Sequence, residues 1–167
     1  MLEYPLLLVF PAAMAFAGAM DLLTMTIPNR VSLALLAAFA AAGPLTGMPW
    51  PQFFSHLLAG LAILALGILM FDRGWIGGGD AKLLAAAVLW LGFENLVQYV
   101  FLVSLLGGVL ATAILAYRRL APPLWLAGQH WAMRLHDQRV GIPYGVALAA
   151  AALWIYPSTK WFAVLTH

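Results

Sequence analysis

The sequence predicts an all-α, polytopic membrane protein: a bundle of about six transmembrane helices with an interfacial helix in the fifth connection, forming a single domain over residues 1–167. Three observations carry this prediction. Hydrophobic residues make up 65% of the chain and charged ones only 8%, where a soluble domain carries about a quarter charged. The mean hydropathy is +0.96. The apolar residues also fall into runs, broken by charges and by Pro or Gly clusters, that approach the roughly 20 residues a helix needs to cross a ~30 Å hydrocarbon layer.

The first segment covers about 4–22 and ends at Asp21. The stretch "MLEYPLLLVF" opens with Glu3 rather than a basic region, so it reads as a retained span and not a cleaved signal peptide. The second segment, about 30–47, stops at "GPLTGMPWPQ", whose Pro44, Pro49 and Pro51 cannot continue a helix. The third covers about 52–71, the fourth 79–93, the fifth 95–117 and the sixth 142–157. Gly60, Gly67, Gly107 and Gly108 are small enough to let helices approach closely in lipid. The fourth segment is short: 11 residues separate Lys82 from Glu94, and a helix from Gly79 to Phe93 reaches only about 22 Å. Either the bilayer thins there or the glycine loop before it dips below the lipid surface, which requires protein or a wet cavity around it.

Seven of the eight basic residues fall in the odd-numbered connections: Arg30, Arg73, Lys82, Arg118, Arg119, Arg134 and Arg139. Lys160 alone lies on the other side. This asymmetry predicts that the odd connections are cytoplasmic and both termini outside. Several chemistries drop out on composition. Cysteine is absent, which excludes thiolate nucleophiles and cysteine-ligated zinc in these residues. No His-rich metal spacing and no basic run of nucleic-acid type occur, so neither a metal nor a nucleic-acid partner is expected. Ser32, Ser55, Ser104 and Ser158 lack a G-x-S-x-G context.

The acids then carry the question of function. Glu3, Glu94 and Asp137 sit at interfaces or in loops, and Asp72 beside Arg73 reads as an interfacial ion pair or cap. Asp21 differs: it follows 17 uncharged residues and precedes "LLTMTIPNR", in which Pro28 forces a break and Asn29 reads as a cap for the second helix. Asp80 closes "GWIGGGD", where glycine permits positive φ or a close backbone approach. Taken singly, each is as well explained as a helix cap or packing residue. Together, 59 positions apart in sequence, they fall at one depth on one side of the bundle. Two carboxylates brought close share a proton, and such a pair can hydrolyse a peptide with water. The alternative is a small proton- or cation-coupled carrier, or a non-enzymatic assembly component, using the two carboxylates as a relay. A carrier needs access from both faces, and the outer half of the predicted spans holds no Asp, Glu, Lys or Arg.

Three stretches carry a resemblance. "GGGDAKLLAA" (77–86) resembles the G-x-G-D signature of intramembrane aspartic peptidases, in the form with a following Lys found in type IV prepilin peptidases. "DLLTMTIPNR" (21–30) is similar to that family's first motif, and "IPYGVALAAAAL" (142–153) to its C-terminal motif. The resemblance implies that Asp21 and Asp80 are catalytic, that Gly77, Gly78, Gly79 and Lys82 belong to the active-site loop, and that Pro28, Asn29, Pro143, Tyr144 and Gly145 support the motifs. It implies no cofactor. It also implies prepilin or pseudopilin substrates with a short basic leader, cut at the cytoplasmic face of the bacterial inner membrane, usually after Gly. Long family members add a domain with paired C-x-x-C motifs and N-methylate the product. These residues look like the peptidase-only form associated with Flp-type pili.

The remaining polar features read more plainly. Lys82 reads as a cation that lowers the carboxylate pKa or binds a substrate main-chain carbonyl, and equally as a snorkelling interfacial cation. In "RRLAPPLWLAGQHWAMRLHDQRV" (118–140), Leu124, Trp131 and Leu135 with Gly128 form one helical stripe. Gln129, Arg134 and Gln138 lie off it, as on an interfacial helix against membrane lipid. His130 and His136 belong to that helix. His56 and His167 carry no assignable chemistry.

Overall fold

A computed structural model describes residues 3–121 and 128–166. It is 84% helical, without strands among the described residues. The helices are α1 (Glu3–Thr24), α2 (Asn29–Leu45), α3 (Trp50–Asp72), α4 (Gly78–Arg119), α5 (His130–His136), α6 (Tyr144–Ile155) and α7 (Lys160–Thr166), with a 3₁₀ turn at Tyr156–Ser158 joining the last two. Three are long and apolar enough to cross a membrane (Leu6–Thr24, Trp50–Asp72 and Gly78–Arg119), and two shorter apolar helices accompany them. The protein is an all-α, multi-pass membrane protein.

The predicted fourth and fifth spans form one helix interrupted at Gly92, where φ 69 and ψ 177 lie in a region essentially open to glycine alone. The break falls at this glycine rather than at Glu94. The second arm, 93–119, is about 40 Å long and turns Val97, Phe101, Leu105 and Val109 outward. The first arm, 78–91, is only about 21 Å long. It is the central pillar: Leu83 and every residue from Ala85 to Leu91 are buried. The helix α4 as a whole packs on α3, α6 and α2, while α1 packs on α6 and α2. Because protein surrounds it, the pillar need not match the bilayer.

A helix that stops inside a membrane leaves carbonyls that must find partners. Three side chains supply them. His56 Nδ1 meets the Leu89 carbonyl at 2.9 Å, the Trp161 indole N–H donates to Trp90 at 2.7 Å, and the Asn95 amide donates to Leu91 at 2.8 Å. Around them the rings of Phe10, Phe39, Trp90 and Trp161 stack or meet edge-on at centroid distances of 5.1–6.0 Å. His56, silent in the sequence, is thus a buried cap. Gly92 is its counterpart, since a Cβ there would stand 2.7 Å from the imidazole.

Among the described residues of the fifth connection, His130–His136 form a helix, and Gly128 lies before it in a turn. Leu124, His167 and the Glu3 side chain lie outside the described residues. Ala132 and Leu135 are buried, so α5 turns them toward the bundle. Arg118 reaches the carbonyls of Leu135, Val140 and Gly141 at 2.8–3.0 Å, and Arg134 reaches that of Leu23 at 3.0 Å. These cations close helix ends. The two ends of the bundle differ as the charge pattern predicts: Lys160 lies 3.8 Å from Glu94 at one end, while Lys82, Arg118 and Arg134 gather at the other.

Candidate active site

The end that gathers the basic residues also gathers the three motifs. Asp21 sits in the last turn of α1 and is buried, at 6% exposure. The helix stops just beyond it because Met25 takes the left-handed conformation, φ 57, while its N–H still donates to the Asp21 carbonyl at 2.8 Å. Thr24 reinforces the turn by bonding to the Met20 carbonyl and the Thr26 hydroxyl. The chain then turns, and Pro28, in the extended region, is the N-cap of α2.

Asp80 lies in the first turn of α4, three residues after the N-cap Gly77. Its carboxylate is within hydrogen-bonding reach of the Gly77 backbone N–H, the reciprocal half of a capping box. The cap reading is therefore true of its backbone setting. It leaves the rest of the half-buried carboxylate free to face Asp21, whose charge it feels.

The glycines before Asp80 are there for space. None of the three has positive φ; that role falls to Gly74. A Cβ on Gly77 would stand 2.9 Å from Asp80 Oδ2, and one on Gly79 would stand 3.2 Å from Ile27 Cβ. Gly145 completes the site from the start of α6. Its N–H donates to Asp21 Oδ2 at 2.7 Å, where a helix N-terminus favours a carboxylate. A Cβ on Gly145 would meet both Asp21 Oδ2 and Ile27 Cδ1 at 2.8 Å. Ile27 thus wedges between Gly79 and Gly145 and holds the loops of the two aspartates together. Sequence reasoning passed over it; an apolar side chain kept in an otherwise polar connection, directly before Pro28, was the available signal.

The other singled-out residues divide. Pro143 is fully buried as the N-cap of α6. Tyr144 lies against Gly107 in the second arm of α4, away from the acids. Asn29 does not cap α2, since Pro28 holds the N-cap position. Its Oδ1 instead accepts from Lys82 Nζ at 2.9 Å, joining α2 to α4. Asp72 is exposed and forms no ion pair with Arg73, whose guanidinium lies 5.6 Å from the Trp75 ring centre.

Fold and site together define a polytopic helical membrane protein that holds two carboxylates, one buried and one half-buried, at one end of its bundle. The chain belongs to the type IV leader peptidase family, whose model matches residues 8–112. It is 29% identical over 151 residues to a prepilin leader peptidase/N-methyltransferase of Bacillus subtilis (strain 168), covering 89% of this chain and 53% of that protein. It is 30% identical over 152 residues to a protein of the same name from Aeromonas salmonicida (strain A449), covering 85% of this chain and 46% of that one. The chain thus spans about half the length of the curated relatives it matches. No solved structure matches it. The matched family range ends before Gly145, so the bond from Gly145 to Asp21 is a finding of the structure.

Proposed function

We propose that residues 1–167 form a single intramembrane aspartic endopeptidase domain that removes the leader from prepilins or pseudopilins, with Asp21 and Asp80 as its catalytic pair. The observation that carries this reading is the meeting of three motifs, distant in sequence, around one carboxylate: Gly145 bonds to Asp21, and Ile27 packs on both Gly145 and the Asp80 loop. Family membership and the relatives' names supply the substrate class.

In this reading the pair carries one proton. The ionised carboxylate takes a proton from water as it adds to the scissile carbonyl, and the protonated one gives its proton to the carbonyl oxygen. Collapse of the tetrahedral intermediate breaks the C–N bond and returns a proton to the leaving amine. Gly145 holds Asp21 in place, and the exposed backbone at Gly77 admits the substrate backbone. That close approach favours a small residue before the scissile bond.

The basic end faces the cytoplasm of the bacterial inner membrane by the positive-inside rule, so the leader is cut there and the apolar helix stays embedded. Cleavage without N-methylation belongs to the same proposal, on the resemblance of these residues to the peptidase-only form. Co-expression with a candidate prepilin, followed by N-terminal sequencing and mass determination of the product, tests all of this. A prepilin left whole refutes the peptidase reading, and a methylated product refutes the peptidase-only one.

A further inference from the structure

The helices α2 and α3 both pack on α4 and diverge from each other. At their linked end they touch: the Phe39 ring stacks on Phe53 at 5.2 Å and on His56 at 5.8 Å. Toward Asn29 and Leu64 they separate, leaving a cavity of about 410 Å³. Its walls are leucines of α2 and α3, its floor is Gly60, Ala85 and Ala86, and its one polar corner is formed by Asn29, Ser32 and Lys82. The V is thus closed at the far end and open at the end that holds the two carboxylates.

We propose that this groove seats the first turns of the substrate's own apolar helix during cleavage. The inference rests on the peptidase reading and names where its substrate docks. The dimensions fit a helix. The lining runs from Lys82 to Leu89 on α4 and from Leu57 to Leu64 on α3, about two turns each. A floor of glycine and alanine is what lets a helix backbone come close in lipid. The polarity also fits. A substrate that is polar up to the cut and apolar after it matches a groove whose polar corner lies at the carboxylate end. An acyl chain would fill the leucine walls equally well but has no use for a small-residue floor.

The geometry fixes the path between groove and acids. Lys82 follows Asp80 by two residues, about 200° around the helix, so groove and carboxylate lie on opposite sides of the start of α4. A substrate must therefore cross the end of that helix, about 10 Å wide, which takes roughly three extended residues at ~3.3 Å each. The crossing runs past Gly77, the exposed glycine of the loop, since Phe71 and Ile27 lie against Gly78 and Gly79.

Two measurements decide it. A photo-activatable phenylalanine analogue is placed at Leu61, an exposed groove wall, and separately at Val97 on the outer arm of α4, both in an Asp80→Asn background that keeps the prepilin intact. Adducts with the prepilin helix at Leu61 and lipid adducts at Val97 support the proposal. Lipid adducts alone at Leu61, or equal prepilin capture at both positions, overturn it. In the active protein, Leu36→Trp and Leu61→Trp fill the groove from exposed positions and should raise KM for the prepilin at least tenfold with kcat little changed. Processing within twofold of the parent overturns the groove while leaving the peptidase reading intact. A parent protein that leaves the prepilin whole sinks both.

Discussion

Gly145→Ala isolates the link between α6 and the acids. The substitution keeps the backbone N–H but adds a methyl group whose carbon would lie 2.8 Å from both Asp21 Oδ2 and Ile27 Cδ1, and 3.0 Å from Asp21 Cβ. The two 2.8 Å distances are shorter than real contacts allow and the third is tighter than most, so Asp21, Ile27 or the start of α6 must move, and the 2.7 Å bond from Gly145 to Asp21 lengthens. Overpacking of this kind costs about 1–3 kcal/mol, and a hydrogen bond to a charged acceptor contributes about 1.5–3 kcal/mol. A displaced carboxylate that loses about 2.7 kcal/mol in the transition state slows the reaction about 100-fold. The assay is the rate of leader removal from a prepilin in detergent or vesicles, with thermal unfolding measured on the same samples. Gly141→Ala is the control, because a Cβ there meets nothing within 4 Å. Adding Ile27→Val removes one of the two 2.8 Å contacts but not the other, so the double variant should recover only part of the loss. A Gly145→Ala protein that cleaves within threefold of the parent refutes the argument that this hydrogen bond sets the Asp21 geometry.

Asp21→Asn and Asp80→Asn should each abolish processing while insertion persists, and the double variant should be no worse than either single one, because a pair acting as a unit is not additive; Asp72→Asn, exposed and apart from the site, should retain activity. Loss of processing in Asp72→Asn would relocate the acid pair. In a prepilin substrate, replacing the Gly before the cut by Val should block cleavage while Ala passes, as followed by gel shift and N-terminal sequencing; equal cleavage of Val and Gly substrates would contradict a close backbone approach at Gly77. Met25→Gly relieves a left-handed residue and should stabilise the protein by about 1 kcal/mol in thermal unfolding; a loss of stability would mean that the Met25 side chain outweighs the backbone strain. Gly92→Ala combines positive φ with a contact of 2.7 Å to His56 and should destabilise the protein by roughly 2–5 kcal/mol; an unchanged melting temperature would show that the break tolerates a side chain.

The membrane character and the helix order were legible because hydropathy and Pro/Gly breaks act locally along the chain. The short fourth span was legible for the same reason, from the spacing of Lys82 and Glu94. What the sequence could not assign was the choice among equivalent local signals. Glu94 and Gly92 both mark the end of that span, and only the approach of the His56 ring to Gly92 decides between them. Asn29 carries a good cap signal, but the cap position went to Pro28 while Lys82, 53 residues on, took the side chain. The role of Ile27 depends on two glycines contributed by α4 and α6, and no periodicity in its own segment announces that. Of the stripe read across Leu124, Trp131 and Leu135, the last two lie on the described helix His130–His136. The three carbonyl bonds from Arg118 that tie this stretch to the bundle come from partners distant in sequence that no periodicity announces.

The depth of Asp80 is set from the opposite end of the pillar. A 14-residue arm rigid from Gly78 to Leu91 transmits position along its axis at about 1.5 Å per residue, so wherever its far end is held, Asp80 follows. That far end is held by three carbonyl bonds from separate elements: His56 of α3, Trp161 of α7 and Asn95 of the second arm. The Trp90 indole adds a fourth tie, donating to the Leu35 carbonyl of α2 at 2.9 Å. In an apolar surround such bonds have no water to compete with them, and leaving any one unmade strands a buried carbonyl or indole N–H at a cost of several kcal/mol. The near end, by contrast, begins in glycines whose backbone alone would not fix the height of a carboxylate. In the proposed peptidase the aromatic cluster and the helix break therefore belong to the same device as the acid pair: one end fixes the ruler, and the other carries the proposed catalytic carboxylate.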